Sequence, residues 1–299
     1  MKVILHIGPH KTGTTAIQTF LTANAGTLAR HGIRYPRPID GTHNHHAVAH
    51  GLRQPSLRAQ TADWIRAMLD ESESMGCRTC VLSSEMFAEH GIPIEALDEC
   101  MPGHELSVLA YVRRPDHMWA SAYSQLVIEP EARRTARIVD EPLPYDCGYS
   151  TVFLKWMSLL SPGRLVLAPF DRAQWPEGSL LRDFLAMAGA PDPLFAECDA
   201  SANDPNASLP AVLVEAIRVA NASGRFSAKE HGELVERARR LAKRFPRMLR
   251  RPPRLPRGAP VRRAFDMLDP WLHAYRPYYR PGFDDSFLRI AGHGHGAAA

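Results

Sequence analysis

Long apolar runs and a second cysteine pair beside the C-x-x-C of Cys77 and Cys80 are both missing from this 299-residue sequence. No stretch approaches the roughly 18 uninterrupted apolar residues of a membrane-spanning helix. Cys77 and Cys80 lie close together, but the other cysteines are scattered, so the spacing does not match a zinc site. The amino terminus begins with a strand pattern instead of the apolar core and cleavage site of a signal peptide. These absences favour a cytoplasmic protein with reduced thiols, no metal and no transmembrane segment.

The positive charge of the chain is concentrated in one segment. Residues 237–263 contain twelve Lys and Arg and no acidic residue, which leaves 24 basic and 32 acidic residues elsewhere. Such a segment is either a solvated helix face followed by a surface arm, or a binding surface for an anion. The candidate anions are a nucleotide, a sulfated product, a membrane or a nucleic acid.

Strand and helix patterns alternate along the first two-thirds of the chain. Apolar runs at 3–7, 79–83, 106–112 and 164–170 are typical of buried parallel strands. This alternation predicts an α/β fold, a parallel β-sheet flanked by helices on both faces. The apolar face from Ile17 to Leu28 predicts one helix ended by Gly32, whereas the proline- and histidine-rich residues 35–55 predict a loop.

The last third of the sequence is predicted to be helical before it becomes irregular. Ser227 and Glu230 have the spacing of a capping box at a helix start. We therefore expect one domain over 1–245, with this helical part at its end. A basic extension rich in proline and arginine follows over 246–292, and the low-complexity tail 293–299 is expected to be disordered.

The first strand leads into a loop that reads IGPHKTGTT and then into a helix. Gly8 and Gly13 occupy the two glycine positions of the nucleotide-binding loop G-x-x-x-x-G-K-[ST], and Thr15 its hydroxyl position. The lysine position holds Thr14, and the lysine has moved forward to Lys11. A glycine-bearing loop between strand and helix cradles a phosphate, so the pattern predicts a phosphate loop altered for a different donor.

Three polar segments each follow a predicted strand directly. They are Lys11 in the loop, Ser84–Glu85 after the strand at 79–83, and Arg113 after the strand at 106–112. Parallel sheets bind ligands beyond the carboxyl ends of their strands. The sequence therefore predicts that these residues share one site.

The loop resembles the 5′-phosphosulfate-binding loop of sulfotransferases that use 3′-phosphoadenosine 5′-phosphosulfate (PAPS). A second segment agrees, because Arg113 at a strand end and Ser121 eight residues later match the 3′-phosphate site of that family. The resemblance covers residues 1–190 and implies the P-loop-like sulfotransferase fold. It also implies transfer of a sulfuryl group without a metal, leaving 3′-phosphoadenosine 5′-phosphate (PAP). The donor contacts it implies come from Lys11, Thr12, Gly13, Thr14, Thr15, Arg113 and Ser121.

The resemblance also suggests the catalytic groups and the acceptor. Glu85 follows a strand where glycan sulfotransferases of the family carry a catalytic glutamate, which implies a carbohydrate or glycoconjugate hydroxyl as acceptor. Lys11 is expected to stabilise charge on the leaving phosphate. Members acting on phenols and alcohols place a histidine near this region instead, so a small-molecule alcohol or phenol is the alternative. The rival bases are His10 and the group His43, His45, His46 and His50. Of these, His10, His45 and His46 are the expected acceptor contacts.

Two other functions fit part of the sequence. A nucleotide or small-molecule kinase would use the loop, but its usual lysine and an evident magnesium-holding aspartate are missing. A non-catalytic binder of nucleotides or nucleic acid would use the basic segment, which lacks interleaved aromatic residues. The family often has tryptophan directly after the second threonine of the loop, where this chain has Ala16. The sequence predicts neither the adenine contacts nor the oligomeric state.

Overall fold

The computed structural model describes residues 1–89, 92–140, 149–200, 209–245, 265–266 and 271–289. Five parallel strands form its sheet, in the order β2-β3-β1-β4-β5. They are β1 (Lys2–His6), β2 (Ile33–Arg34), β3 (Thr79–Ser83), β4 (Glu105–Val112) and β5 (Leu165–Pro169). The prediction of a parallel α/β fold is confirmed, and β2 is a short strand that the sequence did not indicate.

The described helices precede, separate and follow these strands. They are α1 (Thr14–Ala23), α2 (Ala25–Arg30), α3 (His46–Arg53), α4 (Arg58–Ser74), α5 (Ile94–Cys100), α6 (Pro115–Ile128), α7 (Tyr149–Leu159), α8 (Leu180–Met187), α9 (Leu194–Glu197), α10 (Ala211–Ala222) and α11 (Ala228–Arg244). Short 3₁₀ turns occur at Pro55–Leu57, Glu85–Ala88, Ile138–Asp140, Arg172–Gln174, Pro176–Gly178, Arg276–Tyr278 and Asp285–Leu288.

Strand β1 lies at the centre of the sheet, where the order in which the strands are added reverses. The chain adds β3 and β2 on one side of β1, then crosses to add β4 and β5 on the other. His6 at the end of β1 pairs with Ser83 of β3 and with Leu109 of β4. Ligands of open α/β sheets bind at such a switch point, beyond the carboxyl ends of the strands.

Two helix predictions were wrong. The predicted helix over 17–28 is divided at Asn24, whose buried side chain accepts from the Asp199 N–H at 2.7 Å and donates to the Asp199 carbonyl at 3.1 Å. Residues 35–55 are not all loop, because they contain α3. Val48, Ala49 and Leu52 bury one face of that helix, and His46 and His50 obscured the pattern.

Contacts divide the chain into two compact units. The first takes residues from 1–113, 148–205 and 271–287 and contains the sheet. Its core joins α1 and α8 to the strands through buried residues such as Ile17, Phe20, Tyr111 and Phe184. The second takes residues from 114–147, 206–270 and 288–299, and Val127, Ile217 and Val235 lie in the core of its helices.

The predicted capping box at Ser227 and Glu230 is confirmed at the start of α11. Much of the basic extension and all of the tail 293–299 lie outside the described residues. Within the described part of the chain, no helix combines the length and apolar character needed to cross a membrane.

Candidate functional site

The predicted site residues of the first unit lie at one edge of the sheet. The loop of residues 7–13 follows β1, Glu85 begins the 3₁₀ turn after β3, and Arg113 follows β4. Since β3 and β4 both pair with β1 in parallel, these three segments leave the sheet side by side.

Both glycines of the loop lie where a side chain would be crowded. A Cβ on Gly8 would lie 3.0 Å from His6 Nε2 and 3.0 Å from Thr14 Oγ1. Gly13 has a φ of 76°, and a Cβ there would lie 2.5 Å from Leu180 Cδ2. The loop therefore depends on close backbone approach at Gly8 and on a left-handed conformation at Gly13.

Helix α1 begins directly after Gly13 with its first backbone N–H groups uncapped by any described side chain. The first turn contains no acidic residue, so nothing in it opposes an anion. Unpaired N–H groups and the helix dipole make such a start favourable for phosphate or sulfate.

The threonines of the loop differ in exposure. Thr15 is exposed and Thr14 is buried. Thr12 is fully buried, and its hydroxyl donates to the Pro9 carbonyl at 2.6 Å. The Thr12 side chain therefore closes the loop on itself, and its hydroxyl proton is not directed at a ligand.

Lys11 and Arg113 are joined through the backbone of the loop. Lys11 has a φ of 69°, a left-handed conformation that is uncommon for a residue with a Cβ. The Arg113 guanidinium donates to the Lys11 carbonyl oxygen and lies over the Phe170 ring, 4.9 Å from its centroid. The residue expected at the 3′-phosphate therefore also contacts the loop of residues 7–13.

Ser121 lies on α6, in the second unit, and is partly buried. Its expected pairing with Arg113 around a 3′-phosphate stays a prediction. The neighbouring Arg114 donates to Asp116 at 2.8 Å and lies over the Phe265 ring.

Glu85 is held between two side chains. Its Oε2 accepts from Gln18 Nε2 at 3.2 Å, and its Oε1 lies 3.7 Å from His46 Nε2. The Glu85 side chain is 19% exposed, so it remains reachable from solvent. A carboxylate fixed in this way and still accessible can accept a proton from a bound hydroxyl group.

The orientation of His46 follows from Ser84. The Ser84 hydroxyl oxygen accepts from the Met86 N–H at 3.1 Å and lies 2.7 Å from His46 Nδ1. The Ser84 proton can then be donated to Nδ1, which leaves a proton on Nε2, the atom that faces Glu85. In this tautomer His46 supports Glu85 by donating from Nε2. In the opposite tautomer, with the proton on Nδ1, the Nε2 lone pair can accept a proton in place of Glu85.

His45 has a structural role. Its Nδ1 accepts from the Ser83 N–H at 3.1 Å, and its Nε2 lies 3.2 Å from the Pro36 carbonyl oxygen. Burial lowers the pKa of His45 to about 4. These contacts leave neither ring nitrogen for an acceptor, so the expected acceptor contact of His45 does not agree with the geometry.

His10 differs from His45 because it is at the surface. Its side chain is 62% exposed, and Nε2 lies 3.8 Å from Glu89 Oε1. Glu89 also pairs with Arg53 at 2.6 Å. His10 can therefore reach a ligand above the loop, as an acceptor contact requires.

Three buried residues near the site were missed by the sequence reasoning. Ser83 Oγ lies 2.8 Å from His6 Nδ1 and accepts from Gln18 Nε2 at 3.2 Å. Burial lowers the pKa of His6 to about 3, which keeps its imidazole neutral. The signal was present in the sequence, because His6 interrupts an apolar strand and Gln18 follows Ile17 on the buried side of α1.

Metal-binding geometry was not found among the described residues, where no three His, Cys, Asp or Glu side chains cluster closely enough. No protein-family model matches the sequence, and neither a curated protein nor a solved structure matches the chain significantly. Function is therefore inferred from the residues of this site.

Proposed function

We propose that this protein is a sulfotransferase that moves the sulfuryl group of PAPS to an acceptor hydroxyl group. The main support is the phosphate loop, in which two crowded glycines lead into an uncapped helix start while the lysine stands at position 11. This loop suits an anionic group held by backbone N–H donors. A cytoplasmic location belongs to the same proposal.

The donor contacts are divided between the loop and the strand ends. Backbone N–H groups from Thr12 to Thr15 hold the 5′-phosphosulfate, and Lys11 supplies a cation for charge that develops on the leaving phosphate. PAPS itself supplies the sulfuryl group. Arg113 and Ser121 are assigned to the 3′-phosphate from the sequence resemblance.

Glu85 is the proposed base. Its carboxylate takes the proton of the acceptor hydroxyl group, with Gln18 and His46 holding its two oxygens. The acceptor class that follows from a glutamate base is a carbohydrate or glycoconjugate. His10 and His46 are the proposed acceptor contacts, and a small-molecule alcohol becomes the better candidate if His46 is the base.

The first test of this proposal is the affinity of the protein for nucleotides with and without a 3′-phosphate. Calorimetry should show that PAP binds at least tenfold more tightly than AMP or adenosine 5′-phosphosulfate. An arginine–phosphate contact contributes about 1.5–3 kcal/mol, which corresponds to about ten- to a hundredfold in affinity. Equal affinities with and without the 3′-phosphate would contradict the assignment of the second motif.

Transfer of labelled sulfate to a panel of sugars, glycoconjugates, alcohols and phenols identifies the acceptor. We expect transfer to persist when divalent cations are chelated. Transfer of a phosphoryl group from ATP that requires magnesium would instead indicate a kinase.

A further inference from the structure

The phosphate loop holds a residue in an unfavourable backbone conformation. Lys11 is one of three non-glycine residues with positive φ among those described, with Arg133 and Glu177. A left-handed conformation brings Cβ too close to the backbone, so it persists only where surrounding contacts enforce it. At Lys11 a contact from Arg113 can enforce this conformation.

The Lys11 carbonyl accepts from the Arg113 guanidinium. In a trans peptide the carbonyl and the next N–H point in opposite directions. Fixing the Lys11 carbonyl toward Arg113 therefore fixes the Thr12 N–H in the direction away from Arg113. The contact thus sets the direction of one of the loop's donors.

Arg113 is itself firmly anchored. Its N–H donates to the Tyr149 hydroxyl at 2.8 Å, and the same hydroxyl donates to the Arg113 carbonyl at 2.8 Å. The Phe170 ring beneath the guanidinium also packs on the loop, since it would lie 3.0 Å from a Cβ on Gly13. The loop is therefore supported by residues that follow β4 and β5.

We propose that Arg113 is a positioning residue for the phosphate loop, which it holds in the conformation that binds a 5′-phosphate. This role rests on the proposed function in one respect, that the loop binds phosphate. It goes beyond the 3′-phosphate contact, because it affects every ligand with a 5′-phosphate. A residue that contacts only the 3′-phosphate would leave AMP binding unchanged.

Calorimetry with AMP and with PAP separates the two roles. Arg113→Ala should weaken AMP binding about tenfold or more, because the charge-assisted hydrogen bond to the loop is lost. Arg114→Ala is the matched control, since Arg114 pairs with Asp116, and it should leave AMP binding unchanged. Arg113→Gln retains an N–H donor and should keep most of the AMP affinity while losing the preference for PAP.

A second substitution tests the backbone argument. Glycine adopts positive φ without strain, so Lys11→Gly should reduce the need for Arg113. In that background Arg113→Ala should cost less than threefold in AMP affinity. The comparison is between two pairs of variants, so the loss of the lysine charge cancels.

Three results would overturn the inference. One is that Arg113→Ala weakens PAP binding and leaves AMP binding intact, which would make Arg113 a 3′-phosphate contact only. Another is an equally large effect of Arg113→Ala with Lys11 and with Gly at position 11. If the wild-type protein binds neither PAP nor AMP, the loop is not a phosphate site, and the proposed function fails with this inference.

Discussion

Individual side chains around Glu85 show how the site is assembled from distant parts of the chain. Gln18 comes from the second turn of α1, the helix whose first turn faces the phosphate loop, and it reaches Ser83 and Glu85 at 3.2 Å each. His46 approaches the other carboxylate oxygen from the start of α3. The proposed base is therefore tied to the same helix that is proposed to bind the donor.

The assignment of Glu85 gives the first prediction. Glu85→Gln keeps the shape of the side chain but cannot take a proton, so turnover should fall about 10²-fold or more while PAP affinity is kept. The assay is transfer of labelled sulfate, with calorimetry for PAP. Glu71→Gln is the control, because Glu71 pairs with Arg34 at the surface and should be dispensable.

One outcome would move the base to the histidine. If Glu85→Gln remains active while His46→Gln is inactive, His46 takes the proton. The preference for a carbohydrate acceptor would then lose its main support.

Secondary-structure elements differ in how far the sequence determines them. β1, β3, β4 and β5 were predictable, because strands buried on both faces are continuous apolar runs. β2 has only two residues and carries no such signal. The helix α3 was hidden by its two histidines, His46 and His50.

Contacts between the helices and strands were harder to predict from the sequence than the helices and strands themselves. The shared position of the loop, Glu85 and Arg113 beyond the carboxyl ends of the strands followed from the rule for parallel sheets, whereas their order along that edge depends on the strand order. The contact of His6 with Ser83 joins residues 77 positions apart and depends on strand register. The Arg113 contact to Lys11 depends on a backbone angle that no side-chain pattern records.

The conformation of Gly13, in the loop before α1, predicts how much an alanine there would destabilise the protein. Gly13→Ala combines a left-handed residue with a clash against Leu180, whereas Gly189 has a φ of 78° with nothing within 4 Å of a Cβ. Backbone strain costs about 1–2 kcal/mol at either position, and overpacking adds about 1–3 kcal/mol at Gly13. Gly13→Ala should therefore lower the free energy of urea unfolding by at least about 1 kcal/mol more than Gly189→Ala. Equal losses would show that Leu180 and Phe170 adjust to the added methyl group.

At the scale of the whole molecule, the first unit also includes residues near the carboxyl end. The Arg280 N–H donates to the Leu167 carbonyl of β5 at 3.0 Å, and its guanidinium lies 2.6 Å from the buried carboxylate of Asp183. The Tyr111 hydroxyl donates to the other oxygen of Asp183 at 2.9 Å. Residues assigned to a basic extension by composition thus complete a buried polar network of the sheet unit.

Buried ionisable groups make the stability of this unit depend on pH. Burial lowers the pKa of His6 to about 3 and that of His45 to about 4, while an unfolded histidine has a pKa near 6.5. Burial raises the pKa of Asp183, so its contribution has the opposite sign and is lost as pH rises. Between the folded and unfolded pKa values of the histidines, two histidine protons and at most one Asp183 proton change with unfolding. The histidines therefore set the sign of the pH dependence there.

The sign of the effect follows from proton binding. Between about pH 4 and 6.5 the unfolded chain binds up to two more protons than the folded unit at these histidines. The contribution of these histidines should therefore be fully present well above pH 6.5 and fall as pH decreases, with a slope of up to about 2.7 kcal/mol per pH unit near pH 5. Urea unfolding at pH 7, 6 and 5 measures this slope.

His45→Gln should reduce the slope by about half, whereas His50→Gln, at an exposed position of α3, should preserve it. A flat profile between pH 7 and 5 would mean that His6 and His45 are not both held neutral in the core.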